Sequence, residues 1–317
     1  MNWNMEKGLN WEKGAAWIRS QLPDIYFHQE VQPGQLDQLS ELLGMDGYIA
    51  VPLPGSSNDN AIFVRRGGPL VCTEEYPQAW APWHAPANIA IKLRDPDGTL
   101  SPRQISCVSM HACYFSPELR IVEARWCTTL AKAGWLAMLF GDMNSYRDGT
   151  SIAWEEYTDL AFVTNRTYEY DNRLHTDVRP DRVLLAAGFT EMARHAAQNL
   201  QQPNAMAATS GYRDYPGRPS GARYCIDRGY LSAELAPALT RFSVCDTLDL
   251  RRLSDHLPLR AEFDATALRT ILHRPAQTYQ PHDNRHAGSG NQAPSPVSRV
   301  QPSPIPEASR HMHGEGM

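Results

Sequence analysis

The stretch LAMLFGDMNS, residues 136–145, runs an unbroken apolar segment straight into Gly141, Asp142 and, two residues on, Asn144. From Trp135 to Phe140 the run is short and continuously apolar, which predicts a strand buried on both faces. Polar residues at the end of such a strand sit where a rigid scaffold presents chemistry. Asp142 can hold a nucleophile or a metal-bound water, and Asn144 can donate to a phosphoryl oxygen without adding charge. An ordinary Asp/Asn turn would look the same in isolation.

Working outward, DIYFHQEV (24–31) predicts a strand that ends in Gln29 and Glu30, and QISCVSM (104–110) one that ends in His111. Further strands are expected at 48–51, 61–64, 87–93, 224–231 and 259–263. Helical spacing of Trp11, Ala15, Ile18 and Leu22 predicts a helix over 11–22, stopped by Pro23. Leu36, Leu39 and Leu43 mark a second helix. Residues 118–132 form a third, with Leu119, Val122, Trp126 and Leu130 on one side, and residues 190–200 a fourth. Strands that cluster centrally between helices fit two packed sheets with helices outside.

A carboxylate at the end of a buried strand is costly unless a cation or donor meets it. Hard cations such as Mg²⁺ are held by one or two carboxylates together with water and substrate phosphate, and Glu30 suits that role. Ser254-Asp255-His256 sets an imidazole beside a carboxylate just before a strand, as general acid–base chemistry near neutral pH requires. Asp227 lies in the otherwise apolar RYCIDRGYLS and needs a donor, for which a histidine N–H is suitable. Asn4 precedes the first helix. Each piece has a bland alternative: a strand exit into solvent, a loop histidine, a core histidine bonded to backbone.

Taken in order, Asn4, Gln29-Glu30, Ser109-Met110-His111, GDMNS (141–145), Cys225-Ile226-Asp227 and Ser254-Asp255-His256 resemble the endonuclease/exonuclease/phosphatase superfamily over roughly residues 1–264. The chain is similar to actinobacterial members of that superfamily. The resemblance implies a four-layer α/β sandwich: two packed, mostly antiparallel β-sheets flanked by helices. It implies Glu30 as main metal ligand, with Asn4 nearby and Asp255 as a second ligand. Asp142 and Asn144 would position water and phosphate. His256, oriented by Asp227, would be base or phosphate contact, and His111 phosphate donor or acid. The cofactor implied is Mg²⁺ or Mn²⁺. His at 111, where abasic-site endonucleases usually carry Tyr, resembles pancreatic deoxyribonuclease, neutral sphingomyelinases, inositol polyphosphate phosphatases and deadenylases. GDMN stands for the usual GDFN, and Cys225 where many members have Arg.

The function this implies is metal-dependent hydrolysis of a phosphoester by activated water, foremost a phosphodiesterase or nuclease acting on nucleic acid or nucleotide. Alternatives are a phosphomonoesterase or phospholipase-type enzyme on a small metabolite or lipid headgroup, and a non-catalytic or repurposed member. The net charge of -5 lacks the basic signature of tight nonspecific DNA binding and favours small substrates somewhat. The long segment 146–222 carries His175, Arg179, Arg182, Tyr212 and Arg213 as candidate substrate contacts. Trp80 and Trp83, in EEYPQAWAPWHAP, are expected to pack onto the sandwich rather than stack on bases. Six cysteines without a CxxC pair are expected as free buried thiols. With no apolar run long enough for a membrane span and no readable leader, a cytoplasmic monomer is expected. The catalytic domain is expected over 1–272, and the Pro/Ser/His-rich 273–317 as a disordered tail.

Overall fold

Strand alternation divides the interior into separate cores, and this division builds the architecture. The computed structural model describes residues 1–78 and 81–275. Trp80 and all but the first three residues of the expected tail lie outside them.

The first part of the chain lays down β1 (Asn2–Asn4), α1 (Trp11–Ser20), β2 (Ile25–Val31), α2 (Leu36–Leu43), β3 (Met45–Ile49) and β4 (Asp59–Arg65). Then come β5 (Leu70–Glu75), β6 (Ala87–Leu93), β7 (Ile105–His111), α3 (Pro117–Thr128) and β8 (Leu136–Asp142). The remainder holds α4 (Leu160–Arg166), β9 (Thr167–Tyr170), β10 (Arg173–Thr176), α5 (Arg179–Ala186), β11 (Phe189–Glu191) and α6 (Met192–Asn199). It closes with β12 (Asp227–Ser232), β13 (Leu239–Val244), α7 (Leu248–Leu253), β14 (Leu259–Phe263) and α8 (Ala265–His273).

Two six-stranded sheets result, ordered β13-β14-β1-β2-β4-β3 and β11-β12-β8-β7-β6-β5, with β9 and β10 as a separate hairpin. Within the two large sheets the pairings β1–β2 and β7–β8 are parallel and the rest antiparallel. Side chains alternate across each strand. Phe27, Ile62, Cys107, Met138 and Phe140 point between the sheets. Tyr26, Ala61 and Phe63 point the other way, toward α1 and α2. Val108, Met110, Ala137 and Leu139 do the same toward α3 and α5. Each large apolar side chain so buried contributes about 1.5–3 kcal/mol. The result is the expected four-layer sandwich.

Polar links cross the central layer as well. Gln29 Nε2 donates to Asn2 Oδ1 and to Ser109 Oγ, each at 2.8 Å, and Ser109 Oγ donates to the His28 carbonyl at 3.1 Å. These bonds tie β2 of one sheet to β7 of the other directly behind Glu30 and His111.

Several elements differ from expectation. The helix over 11–22 ends at Ser20, and Leu22 is exposed with φ 50°. In α3 the buried face is Pro117, Arg120, Glu123, Ala124 and Cys127, while Val122 is exposed. Apolar periodicity misplaced that face because a buried ion pair, Arg120 Nη2 to Asp177 Oδ2 at 2.9 Å, occupies it. Asp227 opens β12 instead of lying inside a strand. Of the six thiols, Cys107, Cys113 and Cys127 are buried, and Cys72, Cys225 and Cys245 are half-buried; all are free. Among the described residues, no helix is long and apolar enough to cross a membrane.

Candidate active site

Both parallel strand pairs end at the same place, and their C-terminal ends carry the polar residues. Asn4 ends β1 beside Gln29 of β2, and His111 ends β7 in register with Asp142 at the end of β8. Asp227, first residue of β12, also pairs with Asp142. Ligands commonly bind beyond the carboxyl ends of parallel strands, where several chain ends converge.

Glu30 reaches the cleft through a bulge. The β2–β4 register shifts between Gln29 and Val31, and Glu30 has φ 68°. A left-handed backbone at a non-glycine residue is strained, and such strain is kept where it aims a side chain. Asn144, with φ 47°, is a second case. Gly141 is needed for close approach, not for a turn: it lies within β8, and a Cβ there would stand 1.8 Å from the Met110 carbonyl oxygen.

Asn4 Nδ2 lies between two carboxylates, 3.0 Å from Glu30 Oε1 and 3.2 Å from Asp142 Oδ2. The Lys7 N–H donates to Glu30 Oε2 at 2.6 Å. Two imidazoles flank Asp142 Oδ2: His111 Nε2 at 3.5 Å and His256 Nε2 at 3.7 Å. His111 Nδ1 is 3.8 Å from Glu30 Oε1 and is buried with no hydrogen-bond partner. His256 Nδ1 meets Asp227 Oδ2 at 2.8 Å. Thr209 Oγ1 accepts from the Asp227 N–H at 3.1 Å.

The Ser254-Asp255-His256 loop is pinned to β1. Ser254 Oγ donates to the Asn4 carbonyl at 2.7 Å and accepts from the His256 N–H at 3.1 Å, while Trp3 Nε1 donates to the His256 carbonyl at 2.8 Å. Asp255 is half-buried, bonded to the Tyr215 hydroxyl at 3.3 Å, with Oδ1 3.9 Å from His256 Nε2. The eight residues singled out in the sequence (Asn4, Glu30, His111, Asp142, Asn144, Asp227, Asp255 and His256) therefore meet in one cleft.

Their electrostatics follow from burial and proximity. Burial pushes the Asp142 carboxyl up, but His256, His111 and the Asn144 N–H outweigh it and hold it below the usual carboxylate range. Burial works against a charged His256, yet the carboxylates of Asp227, Asp255 and Asp142 prevail and hold the imidazole protonated well above its ordinary value. Asp227 is raised by burial, an effect that His256 only partly offsets. Asp142, Asp227 and His256 each offer a ligand atom within 4.8 Å of one another. Of these three, His256 Nδ1 and Asp227 Oδ2 are already bonded to each other.

Sequence reasoning missed several neighbours. Arg166 Nη2 donates to Asn144 Oδ1 at 2.6 Å. His84 stacks on His111 with ring centroids 5.1 Å apart, and burial, then His111, lowers its pKa to about 3. His84 stood in the Trp/Pro-rich stretch and could have been noted as a titratable group; Arg166 carried no signal, because only the fold brings it to Asn144. Among the residues expected in 146–222, Arg213 comes near through its ion pair with Glu6. Arg179 instead pairs with Asp177, Arg182 with Asp148, and His175 stacks on Tyr168. Arg223 and Arg251 each lie over the Tyr212 ring. Trp83 packs on His84, Tyr114 and Phe115.

The chain has the fold of the endonuclease/exonuclease/phosphatase family. A protein of that family from Bacteroides thetaiotaomicron superposes with TM-score 0.54 at 17% identity, covering 84% of this chain and 94% of its own. TDP2 from D. rerio, complexed with a single-strand DNA product, gives TM-score 0.57 at 15% identity, with 83% and 97% covered. A mannosyl-6-phosphatase from B. thetaiotaomicron gives 0.54 at 17%, with 83% and 98% covered. By sequence, the chain matches no family model and no curated protein.

Proposed function

We propose that this protein is a divalent-metal-dependent phosphoesterase that hydrolyses a P–O bond by activated water. The observation that carries this is the convergence of Glu30, Asp142 and two histidines in one cleft, with His256 backed by Asp227. The donor set fits a hard cation. Glu30 and Asp142 are oxygen donors whose negative fields add at the point where Asn4 Nδ2 now bridges them, and His111 Nδ1 beside them is an orphaned buried nitrogen. Glu30, Asp255 and Asn4 would hold Mg²⁺ or Mn²⁺, with Asp142 adjacent. A divalent cation, when bound, supplies positive charge against the phosphoryl oxygens.

The chain's own residues supply the rest. Asp142, held ionised, is placed to align the attacking water and to take its proton as the oxygen bonds to phosphorus and the leaving oxygen departs. His256, protonated and fixed through Nδ1, donates from Nε2 to a phosphoryl oxygen as negative charge builds there. His111, on the other side of Asp142, is placed to donate to the phosphate or to the leaving oxygen.

Phosphodiester cleavage is the leading reading, since His111 resembles the pattern of deoxyribonucleases, neutral sphingomyelinases and deadenylases, though also that of inositol polyphosphate phosphatases, and one structural neighbour holds a DNA product. A phosphomonoesterase of small metabolites is the second reading. It is favoured by the net charge of -5 and by a cavity of about 620 Å³ bounded by Lys7, Glu30, His84, His111 and Tyr114, within the range of small-molecule sites. The test is hydrolysis of bis-p-nitrophenyl phosphate and p-nitrophenyl phosphate with Mg²⁺, Mn²⁺ or EDTA, in parallel with plasmid nicking. Metal-dependent diester cleavage is expected. Cleavage of the monoester alone selects the second reading, and no turnover with either metal rejects both.

A further inference from the structure

Five arginines are buried among the described residues: Arg103, Arg120, Arg147, Arg166 and Arg228. Four face a carboxylate. Arg103 meets Glu234 at 2.8 Å, Arg120 meets Asp177 at 2.9 Å, Arg147 meets Glu191 at 3.2 Å, and Arg228 lies 3.7 Å from Asp181. Arg166 is the exception. It is 8% exposed, and its polar partners are the Asn144 Oδ1 at 2.6 Å and the Tyr114 carbonyl at 2.8 Å, both neutral. Arg166 thus makes no direct ion pair, and only the field of the nearby Asp142 carboxylate offsets its charge, which leaves a buried cation with capacity for a further anion.

Its position says which anion. Arg166 opens onto a cavity of about 100 Å³ that Asn144, Asp255, His256, Tyr215 and Arg218 also line. Arg218 lies 3.7 Å over the Phe162 ring that Arg166 also approaches, but its charge is shared with Asp159. On the Asn144–His256 side of Asp142, Arg166 offers a guanidinium without a direct ion pair, in a cavity it shares with the Asp255 carboxylate. A guanidinium matches the planar pair of oxygens on a phosphate and remains charged at any working pH.

We propose that Arg166 binds a non-bridging oxygen of the substrate's phosphoryl group and determines affinity for it; this inference rests on the phosphoesterase reading. Two neutral acceptors fix the guanidinium before the substrate arrives, so little ordering cost falls on binding.

The test measures inorganic phosphate binding by calorimetry in Mg²⁺ for the wild type, Arg166→Gln and Arg166→Lys, with Mg²⁺ affinity and diester kinetics alongside. Arg166→Gln is expected to weaken phosphate at least tenfold and to raise KM more than it lowers kcat, with Mg²⁺ affinity unchanged. Arg166→Lys, which keeps the charge but not the fork, is expected to fall between. Should the Gln variant fail to fold, as read by circular dichroism, a Lys variant with wild-type phosphate affinity overturns the proposal. It is equally overturned by unaltered binding in the Gln variant or by a wild type that binds no phosphate. Phosphate held through Arg166 without turnover of any ester retains this inference and removes the hydrolase reading. Turnover that is indifferent to Arg166 does the reverse.

Discussion

His256, proposed to contact the phosphate, is restrained at three points. Asp227 holds its Nδ1, Ser254 its N–H and Trp3 its carbonyl, so the ring has little freedom to leave Asp142. His256→Ala is expected to lower kcat by about 10²–10⁴-fold while the circular dichroism spectrum stays native. Turnover within threefold or so of wild type would reject the assignment. Glu123, buried on α3, gives a pH signature of a different kind. Its Oε2 accepts from the Cys113 N–H, and burial, against that bond and Arg120, raises its pKa from 4.5 to about 7. The folded chain keeps a proton that the unfolded chain has lost. The stability from this group is therefore present below pH 4.5 and is lost as pH rises through about 7. Glu123→Gln keeps an acceptor and has no proton to lose. Relative to wild type it should gain about 1–3 kcal/mol on going from pH 5 to pH 8, read from urea melts; an identical pH dependence in both proteins would contradict this.

Strands β7 and β8 meet where Met110 and Gly141 are paired. Their separation leaves no room for a methyl group at 141. Gly141→Ala must part the two strands or bend them, at an expected loss of about 3 kcal/mol or more and a displaced Asp142. Chemical denaturation checks the first effect and turnover the second. Full stability in this variant would mean that the strands slide freely, against the close register seen here. The bulge in β2 works at the same scale: one residue out of register turns Glu30 from the sheet into the cleft.

Across the whole molecule, each sheet contributes half of a site that neither could form alone. Asn4, Glu30, Asp255 and His256 come from the first sheet and its loops, and His111, Asp142 and Asp227 from the second. A cation bound between them ties the sheets together, so Mg²⁺ or Mn²⁺ should stabilise the fold by mass action. At a hundredfold excess over Kd the gain is about 2.7 kcal/mol, which for a chain of this size raises Tm by roughly 4–5 °C. Glu30→Gln should abolish most of that rise. A melting temperature indifferent to millimolar metal in the wild type would remove the metal from the proposed site.

The sequence by itself determined the layered sandwich, because two-residue and 3.6-residue periodicities reflect which faces are buried, and burial dominates the folding energy. It also determined which eight polar residues to gather, because each stands at the end of an apolar segment or in a short ordered motif. It misread the face of α3, where Arg120 and Glu123 are buried in ionic and hydrogen-bonded contacts that no apolar pattern records. Only the tertiary structure decided the bulge that aims Glu30, the His84–His111 stack and the approach of Arg166 to Asn144. Those depend on contacts between segments far apart in the chain, and on one buried charge being left without a direct ion pair. A sequence carries the charge, but only the packed molecule shows which charges are already neutralised.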